Sequence, residues 1–123
     1  MTLREKQSRF WLMVSKLLQE AERLGTPLVV LEWLRSIERQ KELIALKASK
    51  TMDSKHIQGL AVDVCFLDDL LDDGRLNYTA DQYRAIGDFW EGLGGTWGGR
   101  FGVKPEQYNS KVGWDAGHFE YAE

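Results

Sequence analysis

Ser54-Lys55-His56-Ile57-Gln58-Gly59-Leu60-Ala61-Val62-Asp63 places a polar loop, a histidine and a glycine directly ahead of an apolar run. From Gly59 to Leu67 that run is rich in Val, Leu and Phe and reads as a buried strand, with Asp63 inside it. A second stretch, Trp114-Asp115-Ala116-Gly117-His118-Phe119-Glu120, repeats the pattern: a histidine at a loop–strand junction, beside a carboxylate and a glycine. The chain has two histidines in 123 residues, and both fall in these stretches. The glycines beside them let backbone come close to a neighbouring group.

Outward from these strands the periodicity is helical. Residues 3–24 carry Phe10, Trp11, Val14, Leu17, Leu18 and Ala21 on one face, and Gly25 stops the helix. Pro27 introduces Leu28-Val29-Val30-Leu31, a short buried strand. Ser36 is placed to N-cap a helix from about Ile37 to Lys47, and residues 48–55 read as a loop. An acidic turn with Asp68, Asp69, Asp72, Asp73 and Gly74 follows the second strand. Thr79 and Gln82 have capping-box spacing for a third helix, with Tyr83, Ile86, Phe89, Trp90 and Leu93 on its apolar face and Gly94-Gly95 at its end. Trp97-Gly98-Gly99-Arg100-Phe101-Gly102 is a glycine-rich aromatic loop, and the last strand falls near Gly117–Tyr121. Helix and strand alternate with tight connections, which predicts a small α+β domain occupying residues 1–123 as one unit.

His56, Asp63 and His118 supply the three protein ligands that a catalytic zinc takes while keeping a fourth position open. Asp115 then remains as an unligated carboxylate beside the metal. Zinc lowers the pKa of water toward neutrality, and a nearby carboxylate can accept the proton. Spacing alone also fits hydrogen-bonded core histidines, and no His-Glu-x-x-His helix is present. Cys65, the single cysteine, excludes an intramolecular disulfide and reads as a buried hydrophobe, since three ligands are already supplied. Glu120 fits either a carboxylate orienting a ligand histidine or a solvent-facing strand position. Arg35 could pair with Glu32 or Glu38 on the surface, and Trp97 and Trp114 could be core or groove.

The surrounding residues favour the metal site and the catalytic role of Arg35. Ser54-x-His56-x-x-Gly59-x-Ala61-x-Asp63 resembles the first metal motif of the D-Ala-D-Ala carboxypeptidase / L-Ala-D-Glu endopeptidase family of zinc peptidases. Asp115-x-x-His118 resembles its second motif, Arg35-Ser36-x-x-x-Gln40 its upstream element, and Trp97-Gly98-Gly99 its aromatic glycine loop. The four elements stand in family order across about residues 28–121. The resemblance implies a hedgehog/DD-peptidase-like fold, with a central antiparallel sheet flanked by helices. It implies Zn2+ held by His56, Asp63 and His118, with Asp115 as general base and then acid. Arg35 becomes the cation on the substrate carbonyl, and Ser54 touches substrate or braces the site; Trp114, core or groove by its own reading, is the further substrate-contact candidate. Two departures stand out. Asp115 replaces the Glu of the carboxypeptidase and dipeptidase branches, as in some phage endopeptidases, and Trp33-Leu34 replaces the frequent Gly-aromatic pair before the arginine.

Composition is that of an ordinary globular chain, with 43% hydrophobic and 28% charged residues. A net charge of −3 argues against nucleic acid as the partner. Residues 1–50 hold ten Lys/Arg against six Asp/Glu and the remainder six against thirteen, so the second half favours cations or is simply solvated. No apolar run reaches the ~20 residues of a membrane span. Phe10–Val14 is too short for the apolar core of a signal peptide. The expectation is a monomeric, phage-endolysin-like L-alanyl-D-glutamate endopeptidase acting on peptidoglycan stem peptides. It is made in the cytoplasm and reaches the cell wall after holin-type release. The alternatives are a D-Ala-D-Ala carboxypeptidase or dipeptidase, and a non-catalytic zinc-containing binding module of the same fold.

Overall fold

The computed structural model describes residues 1–47 and 54–122. Helix α1 (Leu3–Arg23) opens on a capping box, in which Thr2 and Glu5 exchange side-chain and backbone hydrogen bonds. Its residues Phe10, Val14, Leu17 and Ala21 recur at helical spacing and are fully buried. Strand β1 (Leu28–Glu32) follows, then α2 (Ile37–Ala45), which Ser36 caps by accepting a hydrogen bond from Arg39 N. β2 (Ala61–Phe66), α3 (Arg84–Gly92), β3 (Thr96–Trp97) and β4 (His118–Glu120) complete the order.

The four strands form one antiparallel sheet in the order β1-β2-β4-β3. Alternation sorts its two faces. Val62, Val64 and Phe66 of β2, Phe119 of β4 and Trp97 of β3 join α1 and α3 in the hydrophobic core. Phe10 and Phe119 each meet Trp90 edge to face, with ring centres 5.8 Å apart. The indole N–H of Trp97 donates to the Ala116 carbonyl at 2.7 Å, so this tryptophan is core and locks the loop before β4. Asp63, His118 and Glu120 point from the opposite face.

The α+β architecture matches the sequence expectation, with boundary differences that have local causes. α2 ends at Ala45, two residues short of Lys47, because Lys47 adopts a left-handed conformation (φ 60°) that ends a helix. The loop expected at 48–55 lies mostly outside the described residues, of which only 54 and 55 remain. Thr79 and Gln82 form no capping box: Thr79 makes no side-chain cap, and a 3-10 turn (Ala80–Tyr83) precedes α3. Tyr83 is fully buried, its ring 4.6 Å from Phe66 and 5.6 Å from Tyr78, and this packing outranks the local capping signal. A fourth strand, β3, arises within the sequence read as end of helix and loop. The strand expected over Gly59–Leu67 narrows to Ala61–Phe66, and the last one to His118–Glu120.

Candidate metal centre and active-site cleft

Register builds the site. β2 and β4 pair Asp63 with His118, and on the other side β1 and β2 pair Asp63 with Glu32. The second pairing depends on an irregularity between Val30 and Glu32, which moves Glu32 into line. Three polar side chains thus stand in one row across three strands. His56 arrives from a tight turn at 54–59, where Ser54 Oγ accepts from His56 N at 3.2 Å and Gly59 closes the turn at φ +68°. Trp33 Nε1 donates to Gly59 O at 2.9 Å and Arg35 N to His56 O at 3.0 Å, tying the turn to the segment after β1.

The two imidazoles are almost wholly buried, 2% exposed for His56 and 7% for His118, with ring centres 5.2 Å apart. His56 Nδ1 lies 2.8 Å from the Trp33 carbonyl oxygen. A carbonyl only accepts, so the proton sits on Nδ1 and Nε2 presents a lone pair. That Nε2 is buried without a hydrogen-bond partner, although Asp63 Oδ2 is 3.1 Å away. Two lone pairs facing each other at that distance repel unless a cation lies between them. On His118, Nε2 is 2.8 Å from Glu120 Oε1 and Nδ1 is 2.9 Å from Asp63 Oδ1.

Donor atoms of His56, Asp63 and His118 lie within 4.8 Å of one another. Two imidazole nitrogens and one carboxylate are a zinc-type donor set with a fourth position open. Each imidazole is oriented by a bond from its other nitrogen, to the Trp33 carbonyl or the Glu120 carboxylate, which is the usual bracing of zinc-ligating histidines. The residues present therefore fit zinc. Of the two readings of Glu120, the structure has the carboxylate that orients a histidine, His118.

The charges agree with a cation site. Burial pushes the Asp63 carboxyl upward, yet the hydrogen bond from His118 and the charge of that protonated ring hold it well below the usual carboxylate range. Burial alone lowers the pKa of His118, but Asp63 and Glu120 together raise it to about 9 in the metal-free protein. Asp115 Oδ2 lies 3.8 Å from His118 Nδ1. Burial lifts the Asp115 carboxyl above its usual value, against the pull of His118.

These groups line one open cleft of about 740 Å³, together with Glu32, Arg35, Leu43, Lys47, Ser54, Lys55, Phe101 and Trp114. All seven residues singled out in the sequence as site candidates thus face the same cleft. Arg35 donates from Nε to Glu32 and from Nη1 to the buried Gln40 at 2.9 Å. Its pairing with Glu32 occurs, but in the cleft wall and not on an open surface. Trp114 stands on the rim, 73% exposed. Cys65 is buried and stays outside the metal cluster.

Sequence reasoning missed Glu32 and Phe101. Glu32 enters through the strand irregularity, which no period-2 pattern reveals. Phe101 enters because the loop 98–102 folds onto the loop before β4. A side chain at Gly98 would strike the Asp115 carbonyl and His118 Cβ, and one at Gly113 would strike the backbone of Phe101. The glycines were visible; what they pack against was not.

Two buried histidines and an aspartate within reach of one ion, with the Asp115 carboxylate alongside, are the groups that zinc-assisted hydrolysis requires. The profile of the D-alanyl-D-alanine carboxypeptidase family matches residues 47–121. The chain belongs to this family and is a metallopeptidase acting on peptidoglycan.

Among solved structures, the L-Ala D-Glu endopeptidase ChiX of Serratia marcescens is 29% identical, with a TM-score of 0.56 over 79% of this chain and 68% of that one. The vancomycin-resistance D,D-pentapeptidase VanY, from a VanB-type cassette and in complex with Zn(II), is 21% identical, with a TM-score of 0.59 over 94% and 71%. VanYB in complex with D-alanine-D-alanine gives 20%, 0.60, 94% and 70%. The last two likenesses show the fold. No curated protein sequence matches the chain.

Proposed function

We propose that the protein is a zinc-dependent L-alanyl-D-glutamate endopeptidase that cuts peptidoglycan stem peptides. The observation that carries the reading is the convergence of His56, Asp63, His118, Asp115 and Arg35 on one cleft. The choice of bond is supported by the likeness to ChiX and by an aspartate at position 115. That residue type also favours a wall-lytic role.

His56 through Nε2, His118 through Nδ1 and the Asp63 carboxylate are the zinc ligands in this reading. Zinc, when bound, supplies a Lewis acid that polarises a carbonyl and lowers the pKa of water. Asp115, with its carboxyl lifted by burial, takes the proton of the attacking water and returns it to the departing amine. Arg35 has Nε and Nη1 committed to Glu32 and Gln40, which leaves Nη2, 4.0 Å from Asp63 Oδ2, for the substrate carbonyl. A guanidinium fixed at two corners needs little reordering as negative charge develops on that oxygen. Ser54 braces the His56 turn and reaches the cleft from its edge.

Mass spectrometry of purified peptidoglycan digested with zinc-loaded protein tests the bond. New L-Ala C-termini paired with D-Glu N-termini are expected. Release of terminal D-Ala would instead place the protein in the carboxypeptidase branch with the same site. Absence of any cleavage would favour a binding module.

A further inference from the structure

We propose that Trp114 is a sugar-binding platform that engages the amino sugar from which the stem peptide hangs; this rests on the L-alanyl-D-glutamate reading. Among the large hydrophobic residues that are exposed in the described structure, Trp114 has the greatest exposure, 73%, and it lines the same cleft as the zinc ligands. Its place on the wall of the cleft that holds the metal-binding groups, and not its exposure alone, points to a ligand surface.

The ring is held ready. Phe101 lies 5.6 Å away on one side, and a side chain at Gly102 would come 3.2–3.3 Å from the indole edge, so backbone backs it closely there. Preplacing the ring lowers the ordering cost of binding. A sugar ring offers a flat face of C–H bonds beneath its hydroxyls, and that face buries well against an exposed aromatic plane.

Reach agrees with this occupant. Two ring-to-ring steps of 5.6 Å, from His118 to Phe101 and from Phe101 to Trp114, connect the metal centre to the platform. In a stem peptide cut after L-alanine, only the alanyl and lactyl units separate the scissile bond from the sugar. At about 3.5 Å per unit they span roughly 7 Å, and the width of the sugar ring covers the remaining few ångströms of the two-step path to the rim. For a cut at terminal D-alanine the sugar lies several residues further off and would not meet Trp114.

The test compares a disaccharide-linked stem peptide with the same peptide carrying only an N-acetyl cap, using zinc-loaded enzyme. Wild type is expected to show a kcat/KM about tenfold higher on the sugar-linked substrate, mainly through KM. Trp114→Ala should collapse that ratio to about twofold or less, while Trp114→Phe keeps part of it. The same variant should lose retention on peptide-free glycan strands that hold the wild type. A wild-type ratio near one, or an equal loss on both substrates in Trp114→Ala, overturns the platform while L-Ala–D-Glu products from either substrate keep the bond assignment. Failure to cut that bond in both substrates overturns the bond assignment and the platform together.

Discussion

The floor of the cleft and its rim position their side chains by different means. On the floor, Glu32, Asp63 and His118 occupy one row across three paired strands. A one-residue slip would turn that row into the core, so the register that buries Val62, Val64 and Phe119 also aims the ligands. On the rim, Arg35, Ser54, Phe101 and Trp114 come from loops, each placed by its own few contacts. Asp63 and His118 take their places from strand register, whereas His56, Asp115 and Arg35, which also belong to the chemistry, are set by turn and loop contacts.

If the ligand and proton-transfer groups are as assigned, substituting them costs far more than substituting the rim. His56→Ala and His118→Ala should each abolish zinc retention and lower kcat/KM by about three orders of magnitude or more, read by metal analysis and peptide hydrolysis. Asp115→Ala should keep its zinc and its fold yet lose about a hundred- to ten-thousandfold in kcat. Unchanged turnover in that variant would remove Asp115 from the mechanism. Glu120→Gln, one step further out, should weaken zinc binding about ten- to a hundredfold, measured by competition with a chelator. An affinity equal to wild type would mean that Glu120 does not brace His118.

The smallest expected effect is a pH dependence of the metal-free protein. His118 is raised from 6.5 to about 9 in the fold, so the folded state favours its protonated form. That stabilisation is complete below about pH 6.5 and is lost as pH rises through about 9. Thermal unfolding in chelator should show the midpoint falling across this window. With zinc in excess the fall should vanish, because the ion replaces the proton on Nδ1. An equal fall with and without zinc would contradict the ligand assignment of His118.

Much of the floor was legible in the sequence. His118 and Glu120 stand two apart on a strand and so share a face, and the Gly59–Leu67 run announced the strand that carries Asp63. The apolar period of α1 gave its buried face. What stayed hidden depends on contacts distant in sequence. β3 has two residues, too few for any period, and exists because Trp97 pairs with Phe119 and buries its ring. Glu32 needs the irregularity in β1, and Phe101 needs the glycine-to-backbone contact between two loops. The capping signal at Thr79 was real chemistry overruled by the burial of Tyr83.

Anomalous diffraction at the zinc edge from crystals of the zinc-loaded protein tests the central claim most directly. The account predicts one ion per chain, bound by His56 Nε2, His118 Nδ1 and the Asp63 carboxylate, with Glu120 still bonded to His118 Nε2. An ion bound through His118 Nε2 together with Glu120, or no ion between the two imidazoles, would contradict it.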